Sequence, residues 1–406
     1  MKVRRGARGT PLRRVALGCA LAWLALVSAG CWDYTDIDQR FHVTAMGFDA
    51  DPRGVRVSFH LGNPPPQGTP GGVRGGGGGP GAGGGGGGPS PQGAQGFLVL
   101  SEAGPSPLDA MDSITGRIDR VLEPDHTQVI LLGHDLARQG VRPVLDFITR
   151  EPRVPPSPPV LITATGTAEQ ALATPKQGTS SPGDYFLKLL TKTSVGTRWL
   201  EVPAFEAYRT LYDPLRALAL PAVDPKSGRV VGIGVFRGDR LAGILGPEDA
   251  WSLTLLRQGV KPDETRGLTV TIPASASSGP PARPAKLALW LTRSSMRVEA
   301  VGALAVRISI RLTAQVGELS GGIRPDLRDP STRGAAQRAI AETVRRRLTA
   351  TLERLQRRAV DPTGLGLQVW TACGRCFPPS EYVRRFPSLR FAVQVEATIR
   401  SPGMIW

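Results

Sequence analysis

The sequence predicts a mixed α+β chain within the broad α/β class. It is divided into two to three domains, each a mostly antiparallel or mixed sheet with helices packed on it. Three observations carry that prediction. Apolar residues make up 40% of 406 positions, enough to bury real cores. Segments of period-two alternation or continuous apolar character are interleaved with segments of period 3.6, so strands and helices take turns along the chain. The high glycine and proline content, 50 and 37 residues, is concentrated locally instead of being spread through those segments.

The first thirty residues carry an address. Residues 1–14 are basic, and "VALGCALAWLALV" (15–27) is an apolar run of thirteen residues, too short to span a bilayer and suited to a signal-peptide core. Ser28, Ala29 and Gly30 follow, small enough for a peptidase, and then Cys31. A secretory signal has no need of a cysteine at that seam, whereas a lipoprotein signal does. The Cys31 thiol would be alkylated by diacylglycerol, and cleavage between Gly30 and Cys31 would leave Cys31 as the acylated first residue. Ser28 stands three before the cysteine, where Leu is commonest. The alternative is a secretory signal with an incidental cysteine. Two acyl chains supply the pair of signals that stable anchoring requires, at about 0.8 kcal/mol per buried methylene. No other stretch reaches eighteen apolar residues, so the sequence predicts a chain anchored to a membrane that does not cross it.

The formal charge is +16, and six of those charges lie in the first thirty residues, which contain no acid. The remaining +10 suits anionic headgroups or wall polymers as well as nucleic acid, and charge alone does not choose among them.

Behind Cys31, "RFHVTAMGFDAD" (40–51) and "GVRVSFHLGNP" (54–64) alternate around "DPRG" and predict a β-hairpin. Residues 64–96 hold 17 Gly and 7 Pro among 33 positions, a flexible insertion spanning roughly 30 Å as a random coil. It lacks the Gly-Lys-Ser/Thr and the strand-to-helix context of a phosphate loop. "FLVLSE" (97–102) reads as a strand. Leu108, Met111, Ile114, Ile118 and Leu122 predict one helix over 106–122. "HTQVILLG" (126–133) is apolar enough to be a central strand; two short helices follow, "HDLARQG" and "VRPVLDFITRE", and then a buried strand, "PPVLITATG" (158–166). These belong to an N-terminal region, 31–225, in which 175–225 could stand apart as a small middle domain.

The C-terminal region, 226–406, opens with two strands around "RGDR" (228–245) and a helix over 246–258. Strands follow at 266–274, 286–293 and 303–319. A helix of about seven turns over 333–360 presents Ile340, Val344, Leu348, Leu352 and Leu355 as one stripe and is otherwise rich in arginine. The stripe is expected to pack on the C-terminal sheet, with the arginines in water and some of them facing anionic lipid. A last strand covers 389–400.

"GCWDYTDIDQRFHVTAMGFD" resembles the start of the mature C-subunit lipoproteins of spore germinant receptors, the Ger(x)C family: a lipidated Cys, Trp-Asp, an acidic stretch, and a strand ending in Gly-x-Asp. Here those are Cys31, Trp32, Asp33, Asp36, Asp38, Gly47 and Asp49. "HTQVILLGHDLARQGVRPVLDFITREPRVPPSPPVLITATG", "GIGVFRGDRLAGIL", "DPTGLGLQVW" and "RFPSLRFAVQVEATIRSPGMI" are similar to further family segments in the same order. The glycine insertion and "TACGRCFPPSEYV" depart from the family pattern, and 175–225 aligns loosely. The resemblance implies a three-part α/β lipoprotein without a catalytic site or cofactor. It would lie on the outer face of the spore's inner membrane, beside an integral A-type subunit and a transporter-like B-type subunit that together sense nutrients.

The residues themselves yield no catalytic set. Cys373 and Cys376 form a single Cys-x-x-Cys, read as an incidental thiol pair or a small disulfide in preference to a redox or metal role. His42, His60, His126 and His134 lie far from that pair in sequence and form no metal motif, so no metal is expected. His60 reads as structural. Asp33, Asp36 and Asp38 lack the glycine and closing glutamate of a calcium loop. The arginine-rich helix has no interleaved aromatics, and an exported chain meets no genome, so nucleic acid is not an expected partner. A solute-binding lipoprotein of an importer is the competing class; 6% aromatics and dissimilar halves argue against it.

Overall fold

The computed structural model describes residues 40–62, 98–174, 181–191, 199–260, 266–272, 285–301, 305–321 and 326–401, together with Val15 and Trp23. The lipidation sequence, including Gly30 and Cys31, lies outside the described residues, as do Trp32, Asp33, Asp36, Asp38 and the glycine insertion.

Two sheets organise the chain. The first has nine strands: β1 (Arg40–Asp51), β2 (Gly54–Leu61), β3 (Leu98–Gly104), β4 (Val121–Glu123), β5 (Val129–Leu132), β6 (Val160–Thr163), β7 (Ala219–Val223), β8 (Val230–Arg237) and β9 (Arg240–Leu245). Their order is β3-β2-β1-β5-β6-β7-β8-β9, with β4 beside the start of β1. The centre, β1-β5-β6-β7, is parallel, and an antiparallel hairpin flanks it on each side. Helices α1 (Pro107–Thr115), α2 (His134–Gln139), α3 (Arg142–Arg150), α4 (Ala168–Ala173), α5 (Pro182–Thr191) and α6 (Ala204–Thr210) belong to this part.

The apolar run of β5 is explained by burial on both faces. Val129 and Leu131 pack toward α4 and α5, and Ile130 and Leu132 pack into the main core on the other side. Strand β7 lies inside this sheet, and the hairpin β8–β9 continues it, so one sheet runs across position 225.

The predicted helix over 106–122 is shorter. It is capped by Ser106, whose hydroxyl accepts from the Asp109 N–H at 3.2 Å, and stops where the Gly116 N–H meets the Asp112 carbonyl. Leu122 leaves the helical stripe and is buried on β4, opposite Phe41. Pairing with β1 outweighs the helical periodicity there.

The second sheet, in the order β10-β11-β12-β13, comprises β10 (Arg266–Ile272), β11 (Ala285–Ala300), β12 (Ala305–Gly321) and β13 (Arg390–Ser401). The first three are antiparallel, and β13 runs parallel to β12 because the helical segments between them carry the chain back. Helix α7 (Pro247–Gln258) precedes β10; α8 (Pro330–Arg357), α9 (Leu365–Ala372) and α10 (Tyr382–Arg385) lie between β12 and β13. Val306, Ile308, Ile310, Leu312 and Ala314 are buried on one face of β12, while Arg311 on the opposite face is exposed.

Helix α8 begins at Asp329, whose carboxylate accepts from the Thr332 N–H at 2.8 Å; hydroxyl and amide donors hold that carboxyl down at about 2. Its stripe Ile340, Val344, Leu348, Leu352 and Leu355 is buried. The arginines divide. Arg345, Arg346 and Arg357 are exposed, whereas Arg354 reaches the buried Asp249 on α7 at 2.7 Å, and Arg347 lies 3.6 Å from Glu248 and over the Trp251 ring. The expectation that the arginines stay in water therefore needs correction for these two: the acidic first turn of α7 packs beside α8 and engages them.

Candidate functional site

A cavity of about 290 Å³ with a largely apolar lining lies where the two sheets meet. Its walls come from the segment after α6, the β8–β9 turn, the chain leaving α8, and α10. Tyr212 and Val383 stand exposed at its rim, and Phe236 and Phe386 are buried beneath it.

Asp361 organises the floor. Helix α8 ends at Arg357 and is capped by Arg358, Ala359 turns left-handed at φ +52°, and Asp361 is delivered into the interior, 5% exposed. Its carboxylate accepts the Thr363 N–H (2.9 Å), the Thr363 hydroxyl, the Gly366 N–H (3.1 Å) and the Tyr382 hydroxyl (2.6 Å). Its carbonyl accepts the Ala217 N–H at 2.7 Å, tying the C-terminal region to the N-terminal one. Burial pushes the Asp361 carboxyl above its usual range against the pull of those donors, and burial beside that carboxylate pushes the Tyr382 phenol well up. Gly366 has a steric reason: a Cβ there would lie 2.2 Å from the Leu215 carbonyl oxygen and 2.6 Å from the Tyr382 ring. The segment "DPTGLG" is therefore a helix-capping turn built on a buried acid. Both oxygens of that acid are engaged by protein donors, which makes it a structural organiser of the turn.

A second cluster borders the same cavity. Glu206 on α6 receives Arg257 at 2.7 Å and Arg216 at 3.3 Å, and Arg216 also donates to the Thr210 hydroxyl at 3.1 Å. Burial pulls the Arg257 guanidinium down from its usual range, helped by the neighbouring Arg216 charge and opposed by Glu206. This triad ties α6 to α7 and so joins the two sheets.

The Gly-x-Asp at the end of β1 has a similar explanation. Asp49, 3% exposed, accepts from the Ala168 N–H at 2.7 Å and the Glu169 N–H at 3.0 Å, capping α4 from another element. Burial nevertheless raises its carboxyl. At Gly47 a Cβ would lie 3.0 Å from Leu172 and 3.1 Å from Ala168, so α4 sits directly on the strand.

Cys373 and Cys376 are joined in a disulfide at the end of α9, with Cα atoms 5.5 Å apart; Cys373 is half-buried and Cys376 exposed. His60 is fully buried with Nδ1 2.7 Å from the Thr44 hydroxyl, and burial lowers it to about 4. His134 sits half-buried at the start of α2. His42 and His126, distant in sequence, come together in space: their ring centroids are 4.7 Å apart, because β4 pairs with the start of β1. Nothing in the local sequence signals that pairing, the Glu206 cluster or the Tyr382 bond to Asp361, since each is assembled across elements. Among the described residues no helix is long and apolar enough to cross a membrane.

Comparison with known proteins accounts for this architecture. Residues 33–225 match the family described as "Spore germination protein N-terminal domain", and residues 231–403 match "Spore germination B3/ GerAC like, C-terminal". The chain is 25% identical over 363 residues to YfkR of Bacillus subtilis (strain 168), whose name assigns it to spore germination; 87% of each chain is covered. The crystal structure of the GerBC protein superposes with a TM-score of 0.50 at 14% identity, covering 87% of this chain and 96% of that one, which shows a shared fold. Matched almost end to end in both halves, the chain belongs to the GerAC-like family of spore germination proteins.

Proposed function

We propose that this chain is the C-type subunit of a spore germinant receptor. In this reading it is held on the outer face of the spore's inner membrane by a diacylglyceryl group on Cys31. It works without catalysis, through contacts with the integral A-type subunit and the transporter-like B-type subunit. The observation that carries this reading is the position of the family match. It begins at residue 33, two residues after the cysteine that follows the proposed leader, and continues to 403. Residues 1–30 are then a leader, and the matched residues form a water-compatible body with two cores' worth of sheet and helix. The organisation proposed is a leader (1–30), an N-terminal region (31–225) and a C-terminal region (226–406) whose first hairpin, β8–β9, completes the N-terminal sheet. The inter-region clusters at Asp361 and Glu206 favour the two regions acting as one body.

Two experiments test the proposal separately. Replacing Cys31 by Ala should release the protein from sedimenting membranes; unaltered sedimentation would refute the anchor. Deleting the gene should abolish or slow germination by particular nutrients while growth and sporulation continue. Normal responses to every nutrient in a strain lacking paralogues would refute the receptor role.

A further inference from the structure

The parallel pairing of β4 with the start of β1 places His42 opposite Glu123. The chain then makes a single tight turn, Pro124–His126, closed by the Thr127 N–H and hydroxyl on the Pro124 carbonyl at 3.0 and 2.7 Å. That turn swings Asp125 and His126 over His42. One donor atom from each of His42, Asp125 and His126 lies within 4.8 Å of the other two. The two imidazoles meet edge to face, 76° apart.

Ligands at about 2.0–2.2 Å from one ion must approach one another more closely than 4.8 Å, so the cluster must contract by roughly an ångström. Asp125 and His126 can supply that movement, because their side chains are 56% and 61% exposed and free to rotate on a fixed turn. His42 is the anchored member. Its Nδ1 is buried without a hydrogen-bond partner, 3.7 Å from Glu123 Oε2, and Glu123 is itself held by Arg40. A carboxylate behind one imidazole nitrogen is the arrangement that orients a metal-bound histidine: it accepts a hydrogen bond from the rear N–H and leaves the front nitrogen as ligand. A small contraction on metal binding would complete that hydrogen bond and satisfy the buried nitrogen.

We propose that His42, Asp125 and His126 form a binding site for a divalent transition-metal ion such as Zn²⁺, with Glu123 orienting His42. Two imidazoles and one carboxylate favour zinc, copper, nickel or cobalt over calcium and magnesium, which prefer all-oxygen sets. Three protein ligands leave at least one position open to water or a partner group. The site pins the first residues of β1 to the β4 turn, close in sequence to the segment bearing Cys31.

The test is titration of the untagged full-length chain, in detergent micelles and with its cysteines oxidised, with Zn²⁺ alone, read by isothermal calorimetry. One ion per chain is expected. His42→Ala and His126→Ala should each weaken binding at least tenfold, and His134→Ala should leave it unchanged. Because His126 is exposed, its variant keeps the fold, which circular dichroism verifies. Co²⁺ should give a visible ligand-field spectrum that is lost in both variants. Affinity falling less than tenfold in either variant, equal binding of Ca²⁺, or no saturable binding below millimolar zinc overturns the assignment.

Discussion

Acidification should destabilise this protein through one buried histidine. His60 on β2 is fully enclosed, with its Nδ1 against the Thr44 hydroxyl, which in turn receives the Ser181 hydroxyl at 3.0 Å from the start of α5. Burial lowers the imidazole from 6.5 to about 4 in the folded chain. Below pH 6.5 the unfolded chain takes up a proton that the folded chain refuses until about pH 4, so the stability contributed by neutral His60 is complete above 6.5 and lost as pH falls toward 4. Between pH 7.5 and 4.5 that loss comes to about 2–3 kcal/mol, from the linkage between proton uptake and stability. Asp49 and Asp361 act in the opposite sense: their raised carboxyls make folding more favourable as they become protonated. The effect must therefore be measured as a difference, by urea unfolding of wild type and His60→Gln across that pH range. The wild type should lose about 2–3 kcal/mol more than the variant. Parallel curves would refute the idea that His60 is held neutral by burial.

Three further outcomes are expected from the same geometry. Asp361→Ala strands several buried donors and should cost about 3–5 kcal/mol; Tyr382→Phe removes one bond and should cost about 1–2 kcal/mol, with the double variant costing less than the sum in denaturant unfolding. Asp49→Ala leaves the Ala168 and Glu169 N–H groups without their acceptor and should cost about 2–4 kcal/mol, with hydrogen exchange accelerated first in α4. Leu348→Ala, at the centre of the buried stripe of α8, should cost about 2–5 kcal/mol, whereas Arg346→Ala on the exposed side should change stability by less than about 1 kcal/mol in the same assay.

Local pattern was enough to read most elements. The 40–61 hairpin, the central strand around Ile130, the long helix with its Ile340-to-Leu355 stripe and the final strand all lie where their periodicity places them, because each is specified by residues within one or two turns of each other. Periodicity misled where a competing partner was distant. Leu122 keeps helical spacing from Ile118 and is nevertheless buried on β4, since pairing with Phe41 offers it a strand position. Arg354 reads as a solvated charge on its own helix and finds Asp249 on another.

The sequence by itself determined the alternation of strand and helix and the family, and it is the source of the address proposed at Cys31, because signal, periodicity and ordered motif blocks are all written along the chain. Only the tertiary structure decided what the motif residues do. Asp49 caps a helix more than a hundred residues away, Asp361 gathers donors from two segments, and His42 meets His126. The physical reason is that buried polar groups must be satisfied by whatever donors the packed chain brings within hydrogen-bonding distance, and strand order sets that proximity, which sequence spacing does not encode.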